Sequence, residues 1–181
     1  LILALLILLL LRRRSVAALT VSRHIEFDHA GINILLYPED TKAKRAESFR
    51  VPDQLLSYLL HYLKDIRPRL LGRSEHDGLW ASYRGRPLIA GRIYDIVRAR
   101  TKKKFRKAVG LHDIRRAAAT FLAMDAPEKI GLIPGMLQHA SPEPGERPYN
   151  LSRSVQASRR FAAHIAQARN RLRPVSIKNE G

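Results

Sequence analysis

The sequence contains no cysteine. That excludes a disulfide framework and any zinc site built on thiolates, and it is compatible with a reducing cytoplasm. Acid is scarce as well: 16 Asp and Glu face 33 Lys and Arg, a net charge of +17 with a pI near 11. So large an excess says little about fold and much about partners, because its self-repulsion is relieved by a polyanion, most often nucleic acid. No apolar run is long. Leu1 to Leu11 is the longest, well short of the ~20 residues a membrane helix needs. Its three arginines follow it, the reverse of a secretion signal. The run is expected to be a buried core helix, and a chain that opens abruptly inside one is expected to be a piece of a longer protein. Internal repeats and low-complexity tracts are absent. So is any Asp/Glu constellation resembling a two-metal nuclease site, and neither a metal nor a cofactor is expected.

What is present suits one ordinary domain. The 181 residues are 45% hydrophobic, enough for a sizeable core. Leu1 to about Leu19 reads as a helix. In "RHIEFDHAGINILLYPED", Ile25 and Phe27, then Ile32, Ile34 and Leu36, alternate with other residues as in two strands, with Gly31 at the turn. "ESFRVP" is a third short strand ended by Pro52, giving a small antiparallel sheet. "PDQLLSYLLHYLKDI" has helical spacing at Leu55, Leu59, Leu60 and Leu63. A turn-rich connection follows, then helices at 90–107, 112–124, 127–138 and 154–171, and a mobile tail. The fold class predicted is α+β, mainly α.

The stretch "GLHDIRRAAATFLAMD" carries an apolar stripe at Ile114, Ala117, Ala118, Phe121 and Leu122. His112 and Arg115, three apart, lie side by side at the positive pole of that helix, where an anion is welcome and a cation is not. They are either a solvated basic helix start or a joint oxyanion holder, with arginine offering two parallel donors. Of Arg12 and Arg13, at least one falls on the apolar stripe of the first helix and therefore requires an anionic partner. Helical spacing does not choose between them. Downstream, "MLQHASPEPGERPYN" supplies His139 and Tyr149.

Taken in order, "LLRRRSVAALT", "PEDTKAKRAESFRVP", "LHDIRRAAAT", "LQHASPE" and "ERPYN" resemble the boxes of the tyrosine recombinase, or phage integrase, catalytic domain. The resemblance covers roughly Leu1 to Arg171. It implies a helical catalytic domain with a three-stranded antiparallel sheet over 1–172, lacking the upstream core-binding domain, and a flexible tail at 173–181. It also implies Arg12 as the first catalytic arginine, Lys42 (or Lys44) as the hairpin lysine, His112 and Arg115 as the His-x-x-Arg pair, His139 as the second histidine and Tyr149 as the nucleophile. Ser15 stands where many members carry an acidic residue, Arg116 where a histidine is common, and Pro144–Gly145 where a Thr-Thr pair is frequent.

The implied activity is site-specific cutting and rejoining of double-stranded DNA. Cationic donors (Arg12, Arg115, His139) stabilise the charge that develops on the scissile phosphate. Tyr149 attacks after its proton passes to His112, Lys42 protonates the departing 5′-hydroxyl, and a 3′-phosphotyrosyl link conserves the bond energy. Lys44, Arg84, Arg86, Arg92 and the run Lys102, Lys103, Lys104 are expected to contact phosphates without reading sequence. A homotetramer on paired DNA sites, a cytoplasmic, nucleoid-associated location and no membrane partner follow from the same resemblance. The alternatives are a basic DNA-binding remnant with dead chemistry and an enzyme like type IB topoisomerases.

Overall fold

The computed structural model describes residues 1–42, 44–126, 137 and 147–171, with side chains of the last segment described from 157 onward. The chain begins with three short helices, α1 (Ile2–Leu8), α2 (Arg13–Ala18) and α3 (Val21–His24). The single helix expected over 1–19 is therefore broken, with Leu10 in the left-handed region at φ +51. The reason lies in four consecutive leucines. Leu8, Leu9, Leu10 and Leu11 are all buried, at 7%, 2%, 1% and 1% exposure. A continuous helix turns about 100° per residue and would aim these four around its whole circumference. The break lets Leu9 and Leu11 enter the main core while Leu10 enters a second cluster with Leu122, Ala126, Leu137, Ala157 and Phe161.

The sheet follows as expected: β1 (Ile25–Asp28), β2 (Gly31–Leu36) and β3 (Glu47–Arg50), antiparallel and in the order β1-β2-β3. Ile25 pairs with Ile34, and Ile34 with Phe49. Ile32, Ile34 and Leu36 are buried, the period-two pattern of a strand with one face on a core. Phe27, counted with them in the sequence, is instead 58% exposed. It lies on the edge strand β1, while its cross-strand partner Ile32 on β2 is buried, so at this row the core stops at β2. Gly31 has φ +133, and a Cβ there would lie 2.8 Å from Nη2 of Arg50. Both its backbone and its missing side chain are thus required. Arg50 Nη1 donates to both carboxylate oxygens of Asp28, at 2.8 and 2.9 Å, tying β3 to the end of β1.

α4 (Asp53–His61) passes through a wide π turn, Tyr62–Ile66, into α5 (Arg67–Leu71), so this helical stretch outruns its predicted end at Ile66. The π turn falls where Pro68 has no N–H for the carbonyl four residues back, and it absorbs that mismatch. In the connection to α6, Trp80 is buried and its Nε1 donates to Val16 O at 2.9 Å, while the Tyr62 hydroxyl donates to Leu79 O at 3.0 Å. α6 (Ala90–Phe105) and α7 (Leu111–Asp125) lie within two residues of their expected bounds.

α8 (Arg147–Arg171) starts earlier than the predicted 154, so the backbone of Tyr149 belongs to its first turn and does not precede the helix. Pro148 in that first turn is compatible with helix, since no N–H is needed there. α8 packs on β3 and on α1, which is why all four β3 residues are buried. The helix expected at 127–138, except Leu137, and the tail at 173–181 lie outside the described residues. The fold is α+β and mainly helical, with one small antiparallel sheet. Among the described residues no helix is long and apolar enough to cross a membrane.

Candidate functional site

A cleft of about 960 Å³ opens where four distant stretches meet: the head of α2, the β2–β3 hairpin, α6 at Tyr94 and the head of α7. Arg12, Arg13, Arg14, Lys42, Lys44, His112 and Arg115 line it, together with Glu39, Asp40 and Asp113. Six permanent cations thus face three carboxylates, and low-dielectric walls around such an excess concentrate the field on an entering anion.

Arg12 precedes α2 in extended conformation (φ −72, ψ 146), a consequence of the break at Leu10. It is half-buried while Arg13 and Arg14 are exposed, a difference in burial that helical spacing did not give. Arg13 instead lies over the Tyr94 ring, 5.4 Å from its centroid.

Lys42 and Lys44 are both exposed on the hairpin, and Lys44 adopts φ +52. The hairpin base is latched from below. His24, 2% exposed, receives the Thr20 N–H on Nδ1 at 2.9 Å and meets Asp40 Oδ2 through Nε2 at 3.1 Å. Burial alone would raise the Asp40 carboxyl, but the bonds from His24 and the Tyr37 N–H, with the nearby Arg23 charge, outweigh it and hold it below its ordinary value. The Ser15 hydroxyl donates to Asp40 O at 3.0 Å, joining α2 to the same latch. Thr41 closes the loop, its hydroxyl donating to Arg45 O at 2.8 Å and accepting from Arg45 N at 3.1 Å.

At α7 the start is less purely basic than expected. Asp113 Oδ2 accepts from Gly110 N at 2.9 Å, an acidic cap suited to the helix dipole. His112 is exposed and Arg115 is buried, so the two border one cleft from different depths. Of the predicted stripe, Leu122 is fully buried while Ala117 is exposed; the buried face includes Leu111 and Arg115 itself. Arg115 Nη2 donates to Leu137 O, and its Nη1 is buried without a hydrogen-bond partner among the described residues. Desolvation, then the neighbouring Arg12 charge, lowers its pKa to about 10 against the opposing pull of Glu47. It stays charged at neutral pH.

Glu47, Asp40, Thr41 and Tyr94 were not singled out in the sequence. Glu47 begins β3 and is only 4% exposed. Burial raises its carboxyl pKa, opposed by Arg45, Arg12 and Arg115. A strand pattern such as "ESFR" gives no sign that its charged residues turn inward, since that depends on α8 covering the strand.

Of the remaining expected residues, Arg84, Arg86, Arg92, Lys102, Lys103 and Lys104 are exposed and lie outside the cleft lining. Arg92 Nη1 is 3.8 Å from Asp95 Oδ2. His139 lies outside the described residues, as does the side chain of Tyr149. Among the described residues no three His, Asp or Glu side chains are arranged to hold a metal ion. No protein-family model, curated protein or solved structure matches this chain.

Proposed function

We propose that the protein is a DNA strand transferase of the tyrosine-recombinase type, acting in site-specific integration or recombination. One observation carries the reading: Arg12, Lys42, His112 and Arg115, named from sequence stretches up to a hundred residues apart, line a single cationic cleft. A solvated basic surface gives no reason for arginine to be buried at such a point, whereas a largely desolvated arginine lining a cationic cleft suits a phosphate.

In the reaction proposed, the Tyr149 oxygen forms a bond to the scissile phosphorus as the bond to the 5′-oxygen breaks. The phenol proton passes to His112, and Lys42 supplies the proton that the leaving oxygen takes up. Arg12, Arg115 and His139 stabilise the phosphoryl oxygens. Reversal with a second strand's 5′-hydroxyl rejoins the backbone, so the bond energy is kept. Double-stranded DNA is the partner, and a homotetramer on two sites, at the nucleoid, is the proposed working assembly of the full-length protein.

A DNA duplex nicked beside the cleavage site, which loses its 5′-hydroxyl fragment on cutting, tests this. A covalent protein–DNA adduct is expected, and it should vanish in Tyr149→Phe. Adduct formation unchanged in that variant removes the nucleophile assignment. DNA binding with no adduct in the parent chain selects the binding remnant, and relaxation of supercoils without exchange between sites selects the topoisomerase-like alternative.

A further inference from the structure

A buried ion pair at the start of β3 does not close. Glu47 is the one acidic side chain among the described buried residues. Its Oε2 is buried with no hydrogen-bond partner among them, and its Oε1 lies 3.6 Å from Arg45 Nε, beyond a good hydrogen bond. Arg115 Nη1 is likewise buried and unpartnered among the described residues. Elsewhere in the same sheet an arginine and a carboxylate do close: Arg50 Nη1 meets both oxygens of Asp28 at 2.8 and 2.9 Å. A pair kept only for stability would adopt that geometry, because a buried charge with vacant bonding capacity is destabilising.

We propose that Glu47 is a positioning residue of the cleft, its buried carboxylate being the counter-charge that holds the Arg12 and Arg115 guanidiniums together while leaving the cleft-lining Arg115 guanidinium for an incoming phosphate. The inference rests on the reading that the cleft takes a phosphate group. Two guanidiniums close enough to depress the pKa of Arg115 repel one another, and the Glu47 carboxylate, whose charge acts on both, offsets that repulsion. Glu47 therefore has two opposed effects. It organises the arginines, and it competes with the ligand for their charge.

These effects separate in two assays on the whole chain. Inorganic phosphate, titrated by calorimetry, reads the competition; single-turnover cleavage of the nicked duplex reads the organisation. Glu47→Gln, nearly isosteric, is expected to bind phosphate roughly tenfold more tightly, the scale of removing one nearby charge at intermediate dielectric. The same variant should cleave at least roughly tenfold more slowly, because correctly aimed donors matter most in the transition state. Glu47→Asp keeps the charge and is expected to return both readings toward those of the parent.

Unchanged phosphate affinity in Glu47→Gln with its helical circular dichroism intact overturns the proposal. Equal tightening in both variants overturns it too, since charge is then not the cause. Phosphate binding by none of the three proteins does the same. A parent chain that forms no DNA adduct, yet shows the expected phosphate pattern, leaves Glu47 in its role and removes the recombinase reading alone.

Discussion

Arg115 sits at 9% exposure and carries its charge at neutral pH despite burial. At the residue scale this is the most informative side chain in the molecule. Its Nη2 is engaged by the Leu137 carbonyl, its Nη1 is buried without a partner among the described residues, and the residue lines the cleft. Removing a preorganised donor of this kind from a phosphoryl-transfer site typically costs about 10²–10³ in rate. Arg115→Ala is accordingly expected to slow single-turnover DNA cleavage by about that factor while DNA affinity falls only a few-fold. Equal losses in cleavage rate and in affinity, measured by gel-based cleavage and fluorescence anisotropy, would make Arg115 a plain phosphate contact. Gly31 makes a complementary point, since its φ of +133 and the 2.8 Å approach of Arg50 let one glycine serve both turn and packing.

At the scale of elements, the hairpin bearing Lys42 and Lys44 is exposed at its tip but anchored at its base. The anchor is the Thr20–His24–Asp40 chain with Ser15 joined to it. In the reaction proposed, a lysine on such an arm would approach the leaving oxygen while its root stays joined to α2 through Ser15. The Asp40 carboxyl is held below its ordinary value in the folded protein, so folding is favoured by its ionised form. That stabilisation is present in full above the unfolded value, about 3.9, and is lost as pH falls through the depressed folded value. Asp40→Asn is expected to lower the melting midpoint by roughly 2–4 °C at neutral pH, the scale of one charge-assisted hydrogen bond in a chain of this size. The gap from the parent should narrow as the pH is taken below about 4. A gap independent of pH would mean that packing, not charge, carries the latch.

Across the whole molecule, a large core under the sheet and a second cluster between α7 and α8 share the leucine run, Leu9 and Leu11 entering the first and Leu10 the second, with Ile114 and Ile165 packing against both. The same backbone break that serves the two cores presents Arg12 to the cleft. The net charge of +17 is spread well beyond that cleft, and Lys102, Lys103 and Lys104 on the last turn of α6 are exposed outside it. Cations of this kind contribute affinity by releasing counterions from DNA. Replacing the three with glutamine is expected to make the log–log dependence of DNA affinity on salt shallower by about 0.9 for each phosphate that the variant no longer neutralises. Cleavage at saturating DNA should be unaffected. A drop in the saturated cleavage rate would bring these lysines into the chemistry.

Much of this was legible in the sequence because it depends on neighbours in the chain. Period-two alternation at Ile32, Ile34 and Leu36, a turn glycine at 31 and helical spacing from Leu55 to Leu63 are local rules, and the sheet and most helices follow them. Local rules failed where burial was set from afar: the leucine run broke because two cores compete for it, and Phe27 was left outside because the core ends before it. The resemblance of separate stretches named Arg12, Lys42 (or Lys44), His112 and Arg115 as candidates one by one, but their sharing a cleft is a long-range fact. So is Glu47, an ordinary strand residue on paper that becomes buried counter-charge only once α8 covers β3. By itself, then, the sequence determined most of the elements and the basic character, which rest on composition and short spacing, and named the candidate cations through motif resemblance. Only the tertiary structure decided which charges are desolvated and which face one another, because electrostatic strength depends on burial and distance between segments that the chain order does not set.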